Sequence, residues 1–173
     1  MTTRVYAIAD IHGQLMALKT AHALIAADRA RHQDVDAPVV HLGDLTDRGP
    51  DARGVLTYLI DGIAAGQPWV VIKGNHDRLF ATFPRDPAWC DPAIVSGLHW
   101  LNPRLGGNTT LASYGVEAGD EADAEAIAAA ARRAVPQAHL AFLEALPLTH
   151  ATPELLFVHA GIRPGVAIAD QVE

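Results

Sequence analysis

The sequence contains a single cysteine, Cys90, among its 173 residues. An internal disulfide is therefore excluded, and so is a metal site built from several thiolates. No hydrophobic run approaches the roughly 18 consecutive residues of a membrane span, and the apolar stretch after Met1 is too short for a signal peptide. We therefore expect a cytoplasmic protein without a membrane partner.

Positive charge is also scarce. Lysine and arginine together number 13 against 20 aspartates and glutamates, which gives a formal net charge of −7. Because a surface of this sign repels a phosphate backbone, we expect no nucleic-acid polymer as a partner. A small anionic substrate remains compatible with the composition, provided that a local metal or arginine holds it.

The first part of the chain alternates short apolar runs with helical patterns. Buried strands are predicted over residues 5–9, 38–42 and 69–72. Helices are predicted between them, over residues 14–33 and from about residue 51 to a glycine stop at residue 66. This alternation predicts an α/β fold of βαβ units with a largely parallel sheet, and the length predicts one domain over residues 1–173.

The second part of the chain is less regular. Residues 80–102 are predicted to form loops and short helical pieces, and the two tryptophans there are interpreted as core rather than as a substrate surface. A turn followed by a short helix or extended piece is expected over residues 106–115. Two scaffold helices are predicted over residues 120–133 and from Pro136 onward. A fourth strand is predicted over residues 155–158.

Polar side chains suited to metal binding follow each predicted strand. They are Asp10 and His12, then Asp44, Asp47 and Arg48, then Asn75 and His76, and finally His159. Parallel strands bring their carboxyl ends to one edge, so the first three groups should converge. Ordinary helix capping explains one such group, but not three consecutive groups with metal-competent side chains.

Two of these groups carry more specific expectations. Asp10 and His12 are two residues apart, so an extended backbone would point both side chains the same way. The octapeptide 43–50 offers two carboxylates and an arginine, which could hold a metal, orient a base and bind an oxyanion. Five other histidines are interpreted as structural or solvated: His22, His32, His99, His139 and His150.

Four blocks of the sequence together resemble a known family. They are DIHG at residues 10–13, GDLTDRGP at 43–50, GNHD at 74–77 and HAG at 159–161. In this order and spacing they resemble the bacterial phosphoprotein-phosphatase (PPP-type) branch of the calcineurin-like metallophosphoesterases, over residues 5 to about 165. The resemblance implies a β-sandwich flanked by helices (α/β/β/α), with two divalent metals at the strand ends.

The resemblance also implies roles for single residues. Asp10 and His12 would bind one metal, Asp44 would bridge both, and Asn75 and His159 would bind the second. Oxygen and imidazole ligands without thiolates suit Mn²⁺, the expected ion, with Fe or Zn²⁺ as alternatives.

The remaining roles concern the reaction. His76 would protonate the leaving oxygen, Asp47 would orient His76, and Arg48 would bind phosphate oxygens of the substrate. Two metals about 3.5–4 Å apart activate a bridging hydroxide for in-line attack on phosphorus, and a histidine can supply the proton that a leaving alkoxide needs near neutral pH.

Three functions remain open at this point. The leading one is hydrolysis of phosphomonoesters, above all phosphoserine and phosphothreonine in proteins. The alternative is a nucleotide hydrolase like the bis(5'-nucleosyl)-tetraphosphatases, because Asp77 stands where protein phosphatases have glutamate. The third is a metal-binding fragment without turnover.

The family pattern differs from this sequence at two further places. Ala9 replaces a glycine, which we expect to be mild if its torsions are ordinary. No histidine follows His159, where the family supplies another ligand. We therefore expect a domain truncated at its C-terminus, without its last strands and with an exposed sheet edge that could pair in a homo-oligomer.

Overall fold

The computed structural model describes residues 4–92, 94, 97–118 and 123–171. Its strands are β1 (Tyr6–Ile8), β2 (Val39–His41), β3 (Trp69–Val71), β4 (Thr149–Ala151) and β5 (Leu156–Val158). Its α-helices are α1 (Leu15–His32), α2 (Ala52–Ala64), α3 (Asn75–Thr82), α4 (Gly107–Ser113), α5 (Ala124–Ala134) and α6 (Gln137–Ala145). A 3₁₀ turn covers Ile168–Asp170.

The first three strands form a parallel sheet in the order β1-β2-β3. Val39 pairs with Tyr6 on one side and with Trp69 on the other. The central strand β2 is buried throughout, as expected for a strand covered on both faces. The predicted βαβ arrangement is therefore confirmed, and the mixed α/β fold class with it.

The connecting helices begin and end close to their predicted limits. Asp51 caps α2, because its carboxylate accepts a hydrogen bond from the Gly54 amide at 2.8 Å. Helix α1 ends at His32 and is capped by Gln33 in a left-handed conformation (φ 54°), with basic residues in the last turn of the helix. The Asp51 cap fixes where the loop after β2 gives way to α2, and the Gln33 cap turns the chain from α1 toward β2.

The fourth predicted strand does not join the parallel sheet. It is β5, and it pairs antiparallel with β4 in a separate two-stranded sheet. Strand β4 was not predicted from the sequence, because its three residues, two of them exposed, form no apolar run or alternation. Residues on either side of the hairpin contact the loops that follow the parallel strands. For example, the Lys73 amide donates to Pro147 O at 2.8 Å, and Nδ1 of His159 lies 2.7 Å from Leu42 O.

The core lies between the sheet and the helices. Large side chains that are almost fully buried make up its centre: Trp100, Phe80, Leu45, Leu56, Leu59, Ile72, Leu79, Leu111 and Leu143. Trp100 stacks on Phe80 at 5.6 Å between ring centroids, which confirms its interpretation as core. The half-buried Trp89 packs against the same core. In the described part of the chain, none of the helices has the length and hydropathy needed to cross a membrane.

Candidate metal centre

The loops after β1 and β2 turn through left-handed backbone conformations. The non-glycine residues with positive φ there are Asp10 (44°), His12 (43°), Asp44 (51°), Asp47 (70°) and Arg48 (65°). The extended geometry expected for Asp10 and His12 is therefore wrong, since β1 ends at Ile8. Left-handed torsions cost a non-glycine residue roughly 1–2 kcal/mol, and such strain clusters at functional sites. Ala9 does not have a positive φ, so the condition under which its replacement of the family's glycine should be mild is met.

Two glycines let the loops after β2 and β3 touch. A Cβ on Gly74 would lie 2.2 Å from Oδ1 of Asp44, and a Cβ on Gly43 would lie 2.4 Å from the Gly74 nitrogen. Any side chain at either position would force the loops apart. The glycines are thus required for Asp44 to approach the start of α3.

Asp77 ties the same two loops together from inside. It is fully buried, and its oxygens accept hydrogen bonds from the amides of Leu45 at 2.8 Å and Gly74 at 2.9 Å. Burial, aided by the charge of Asp44, raises the pKa of Asp77 to about 7 against the lowering effect of these amides. Asp77 therefore shapes the loops and does not face a substrate, so it does not select between substrate classes by contact.

Asp44 lies at the centre of the candidate site. Its Oδ2 is 3.6 Å from Nε2 of His12, and its Oδ1 is 3.4 Å from Nε2 of His159. Oδ1 also accepts the His76 amide at 3.1 Å, one of the free donors in the first turn of α3. One carboxylate thus has an oxygen facing each of two histidines.

The hydrogen bonds of these two histidines fix where their protons lie. Nδ1 of His12 is 2.8 Å from Thr46 O, and Nδ1 of His159 is 2.7 Å from Leu42 O. A carbonyl oxygen only accepts, so each Nδ1 carries the hydrogen. In the neutral ring that metal binding requires, each Nε2 therefore carries a lone pair on the side of Asp44, an orientation that a backbone carbonyl commonly gives to metal-binding imidazoles.

The result is a group of acceptors that face one another. Oδ1 of Asn75 lies 3.2 Å from the His159 Nε2, which is itself an acceptor. Neighbouring lone pairs without a hydrogen between them repel, and a cation relieves that repulsion. The residues therefore fit a divalent metal.

The described residues contain two sets of three potential metal ligands, and within each set the ligand atoms lie no more than 4.8 Å apart. One set is His12, Asp44 and His76, and the other is Asp10, Asp44 and His159. Asp44 belongs to both, as a bridging ligand requires. Asp10 groups with His159 rather than with His12, which differs from the expected division. Which ion each residue binds stays a prediction.

His76 and Arg48 lie on one side of Asp44. Nδ1 of His76 donates to Oδ2 of Asp47 at 2.7 Å. Burial lowers the pKa of His76, but the hydrogen bond and charge of Asp47 outweigh it, so the pKa is raised above its usual value. The exposed guanidinium of Arg48 donates to Nε2 of His12 at 2.8 Å and to Nε2 of His76 at 3.1 Å.

Two residues that contact Asp47 were not identified from the sequence. Nε1 of Trp100 donates to Oδ2 of Asp47 at 2.8 Å, and the Thr110 hydroxyl donates to Oδ1 at 2.7 Å. They lie 53 and 63 residues beyond Asp47. No spacing rule links residues so far apart, and the only signal was the interpretation of Trp100 as core.

A second histidine cluster lies between α1, α2 and the sheet. Nδ1 of His41 donates to Val70 O at 2.9 Å, so its Nε2 is an acceptor, and Nε2 of His22 donates to it at 2.9 Å. Nδ1 of His22 then accepts the Tyr58 hydroxyl at 3.0 Å. Burial lowers the pKa of both histidines to about 4. His22 is structural, as the sequence predicts.

Comparison with known proteins supports this description of the fold. Residues 3–166 match the model of the calcineurin-like phosphoesterase family. The chain belongs to this family. A search of curated proteins found no match.

The solved structures similar to the chain include the following three. One is described as a candidate diadenosine tetraphosphatase, with a TM-score of 0.56 and 21% identity over 100% of this chain and 57% of that one. A hypothetical protein from Pyrococcus horikoshii OT3 has a TM-score of 0.48 and 21% identity over 86% and 49% of the two chains. A metallophosphoesterase from Sphaerobacter thermophilus has a TM-score of 0.42 and 17% identity over 89% and 45%. The chain thus spans about half the length of these proteins.

Proposed function

We propose that this protein is a dinuclear metal-dependent phosphoester hydrolase. The observation that carries the proposal is the position of Asp44, whose two oxygens face two separate histidine lone pairs. The residues that would hold the metals are Asp10, His12, Asp44, Asn75 and His159. When bound, divalent ions supply an activated water and neutralise charge on the phosphate. Mn²⁺ is the expected ion, with Fe or Zn²⁺ as alternatives.

The chain's own groups supply the other requirements of the reaction. Arg48, exposed at the mouth of the site, presents two guanidinium nitrogens that can bind phosphate oxygens. His76 faces the same place with Nε2, while its Nδ1–H is held by Asp47. The raised pKa of His76 favours the protonated ring. When Arg48 binds the phosphate instead of Nε2, that ring can donate a proton from Nε2 to the leaving oxygen.

For the substrate, we propose phosphomonoesters, in particular phosphoserine and phosphothreonine carried by a protein. The support is the exposure of Arg48, since a phosphate attached to another protein can reach an open site. The acidic net charge of −7 disfavours a nucleic-acid polymer at the same place.

A second candidate is cleavage of a phosphoanhydride in a dinucleoside polyphosphate. The observation that favours it is the similarity to the candidate diadenosine tetraphosphatase. At 21% identity this similarity reflects the fold, so the activity has to be measured directly.

The test begins with purified protein and added Mn²⁺. We expect hydrolysis of p-nitrophenyl phosphate, two bound metal ions per chain, and loss of both in Asp44→Asn. His22→Phe, which alters a histidine outside the site, should keep both. Normal activity in Asp44→Asn would contradict the proposal, and metal binding without turnover would identify a non-catalytic metal-binding protein.

Side-by-side assays then separate the substrate classes. A phosphoseryl peptide and diadenosine tetraphosphate are supplied at equal concentration, and kcat/KM is measured for each. A higher value for the peptide supports the phosphomonoesterase, and a higher value for the dinucleotide supports the second candidate.

A further inference from the structure

The carboxylate of Asp47 is held from three sides within the core. Oδ2 accepts from His76 and from the Trp100 indole at 2.8 Å, while Oδ1 accepts from the Thr110 hydroxyl at 2.7 Å. The Thr110 oxygen also accepts the Asp47 amide at 2.7 Å. The threonine hydroxyl is therefore oriented from both ends, and its hydrogen points to the carboxylate.

The two donors are themselves rigid. Trp100 is 1% exposed and packs on Phe83 at 4.8 Å between ring centroids. A Cβ on Gly107 would lie 2.5 Å from the indole, so the start of α4 presses against the ring. Thr110 is fully buried on the same helix. Neither donor can move without repacking the core.

Such fixed donors determine the direction in which His76 points. A carboxylate with one partner can rotate about its bond to Cβ, and the imidazole that it holds would rotate with it. Hydrogen bonds to both oxygens remove that freedom, and buried hydrogen bonds of this kind are costly to leave unmade. A misdirected general acid loses much of its effect, because proton transfer requires close approach in a narrow range of angles.

We propose that Trp100 and Thr110 are positioning residues that hold the Asp47 carboxylate in the orientation that aims Nε2 of His76 at the leaving-group oxygen. This inference rests on the proposed function, because it assigns His76 to protonation of the leaving group. Neither residue touches the substrate. Their effect on the reaction passes through Asp47 and His76.

The kinetic test uses two substrates that differ in their need for a proton. An alkyl phosphate, such as a phosphoseryl peptide, releases an alkoxide that must be protonated, whereas p-nitrophenyl phosphate releases a stable phenolate. Thr110→Val keeps the shape and removes the hydroxyl. We expect it to lower kcat on the peptide by about 10-fold or more and kcat on p-nitrophenyl phosphate by less than about 3-fold, at similar KM and metal content.

Matched variants separate positioning from scaffolding. Thr110→Ser keeps the hydroxyl and should restore kcat on the peptide, while Trp100→Phe keeps an aromatic ring without the N–H and should show the same substrate dependence. Tyr58→Phe removes a hydroxyl from the other histidine cluster and should affect neither substrate. Equal losses on both substrates in Thr110→Val, or failure of Thr110→Ser to restore kcat, would overturn the inference.

A measurement independent of activity keeps the inference distinct from the proposed function. The Nδ1 hydrogen of His76 can be observed by NMR and assigned by its disappearance in His76→Gln. In Thr110→Val it should exchange with water about 10-fold faster than in the wild type, and in Thr110→Ser at nearly the wild-type rate. Unchanged exchange in Thr110→Val would overturn the positioning role. If the wild type hydrolysed neither the phosphoseryl peptide nor p-nitrophenyl phosphate, the proposed function would be overturned instead.

Discussion

The protein contains two histidine clusters that differ in whether each hydrogen-bond acceptor has a donor as its partner. In the cluster of His22 and His41, a chain of donors runs from the Tyr58 hydroxyl to the Val70 carbonyl, and every ring nitrogen has a complementary partner. Around Asp44, the Nε2 atoms of His12 and His159 present lone pairs to a carboxylate. The first cluster is complete by itself. In the second, Arg48 donates to His12, but Nε2 of His159 faces the oxygens of Asp44 and Asn75 with no donor between them.

This difference shows how a structural histidine can be told from a metal ligand. Burial separates them poorly, because His22 and His41 are buried and the side chains of His12 and His159 are only 11% and 16% exposed. The number of hydrogens available between neighbouring polar atoms does separate them. Substitutions should therefore act on stability in one cluster and on metal binding in the other, and four predictions test that contrast.

The largest effect is expected at Asp44. Asp44→Asn removes one charged ligand oxygen and places amide hydrogens among the lone pairs, so that they become paired without a cation. We expect kcat/KM to fall by roughly 10³-fold or more, equivalent to about 4 kcal/mol, with unfolding stability in EDTA unchanged or higher. Kinetics and chemical denaturation measure the two quantities. A large loss of stability in EDTA would show that the Asp44 cluster is complete without a metal.

Acid should destabilise the His22 cluster. The pKa of His22 is about 4 in the folded protein, below the usual 6.5. The contribution of His22 to stability is therefore present above about pH 6.5 and is lost as the pH falls through 4. Between pH 7 and 4 the wild type should lose about 3 kcal/mol more stability than His22→Phe. Asp77, with a pKa of about 7, acts in the opposite sense in both proteins and cancels in the difference. Urea denaturation in EDTA at several pH values measures this, and parallel curves would contradict it.

Metal should stabilise the protein only through the Asp44 cluster. Free metal at 100 times its dissociation constant adds about 2.7 kcal/mol to the stability of a protein that binds it only when folded. We expect thermal scans with Mn²⁺ to raise Tm by roughly 5–10 °C in the wild type and in His22→Phe. Asp44→Asn should show no such increase. A rise in Tm with Mn²⁺ that is lost in His22→Phe would show that the metal binds at the His22 cluster instead.

The smallest effect is expected at Tyr58. Tyr58→Phe removes the donor to Nδ1 of His22 and leaves that half-buried acceptor unpaired, which should cost about 1 kcal/mol of unfolding free energy. Metal content and kcat/KM should stay at wild-type values. A change in metal content would show that the two clusters are coupled.

The sequence predicts the parallel sheet and the meeting of its polar strand ends because both follow from local patterns. Apolar runs of the right length predict the strands. Parallel pairing then brings the loop of Asp44 next to the loop before α3, and Gly43 and Gly74 allow the two loops to touch. The loop conformation was not predictable in the same way. Asp10 and His12 adopt left-handed torsions, and a two-residue spacing carries no information about such a turn.

The residues that donate hydrogen bonds to Asp47 could not be predicted from any local sequence pattern. Trp100 and Thr110 reach it from a loop and from α4, and which indole or hydroxyl meets a carboxylate depends on how the core packs. The same holds for Asp77, which looked like a mark of substrate class in the sequence. Its contacts with backbone amides on two loops appear only when the loops are in place.

The left-handed residues of the site also matter for engineering. His12 and Arg48 each have a positive φ, which glycine adopts without steric strain and other residues adopt less readily. A selection for thermostability alone would therefore favour glycine at both positions. The selected proteins would melt at higher temperature and would lack a proposed ligand and the proposed phosphate clamp. Screens of this protein should accordingly score turnover and melting temperature together.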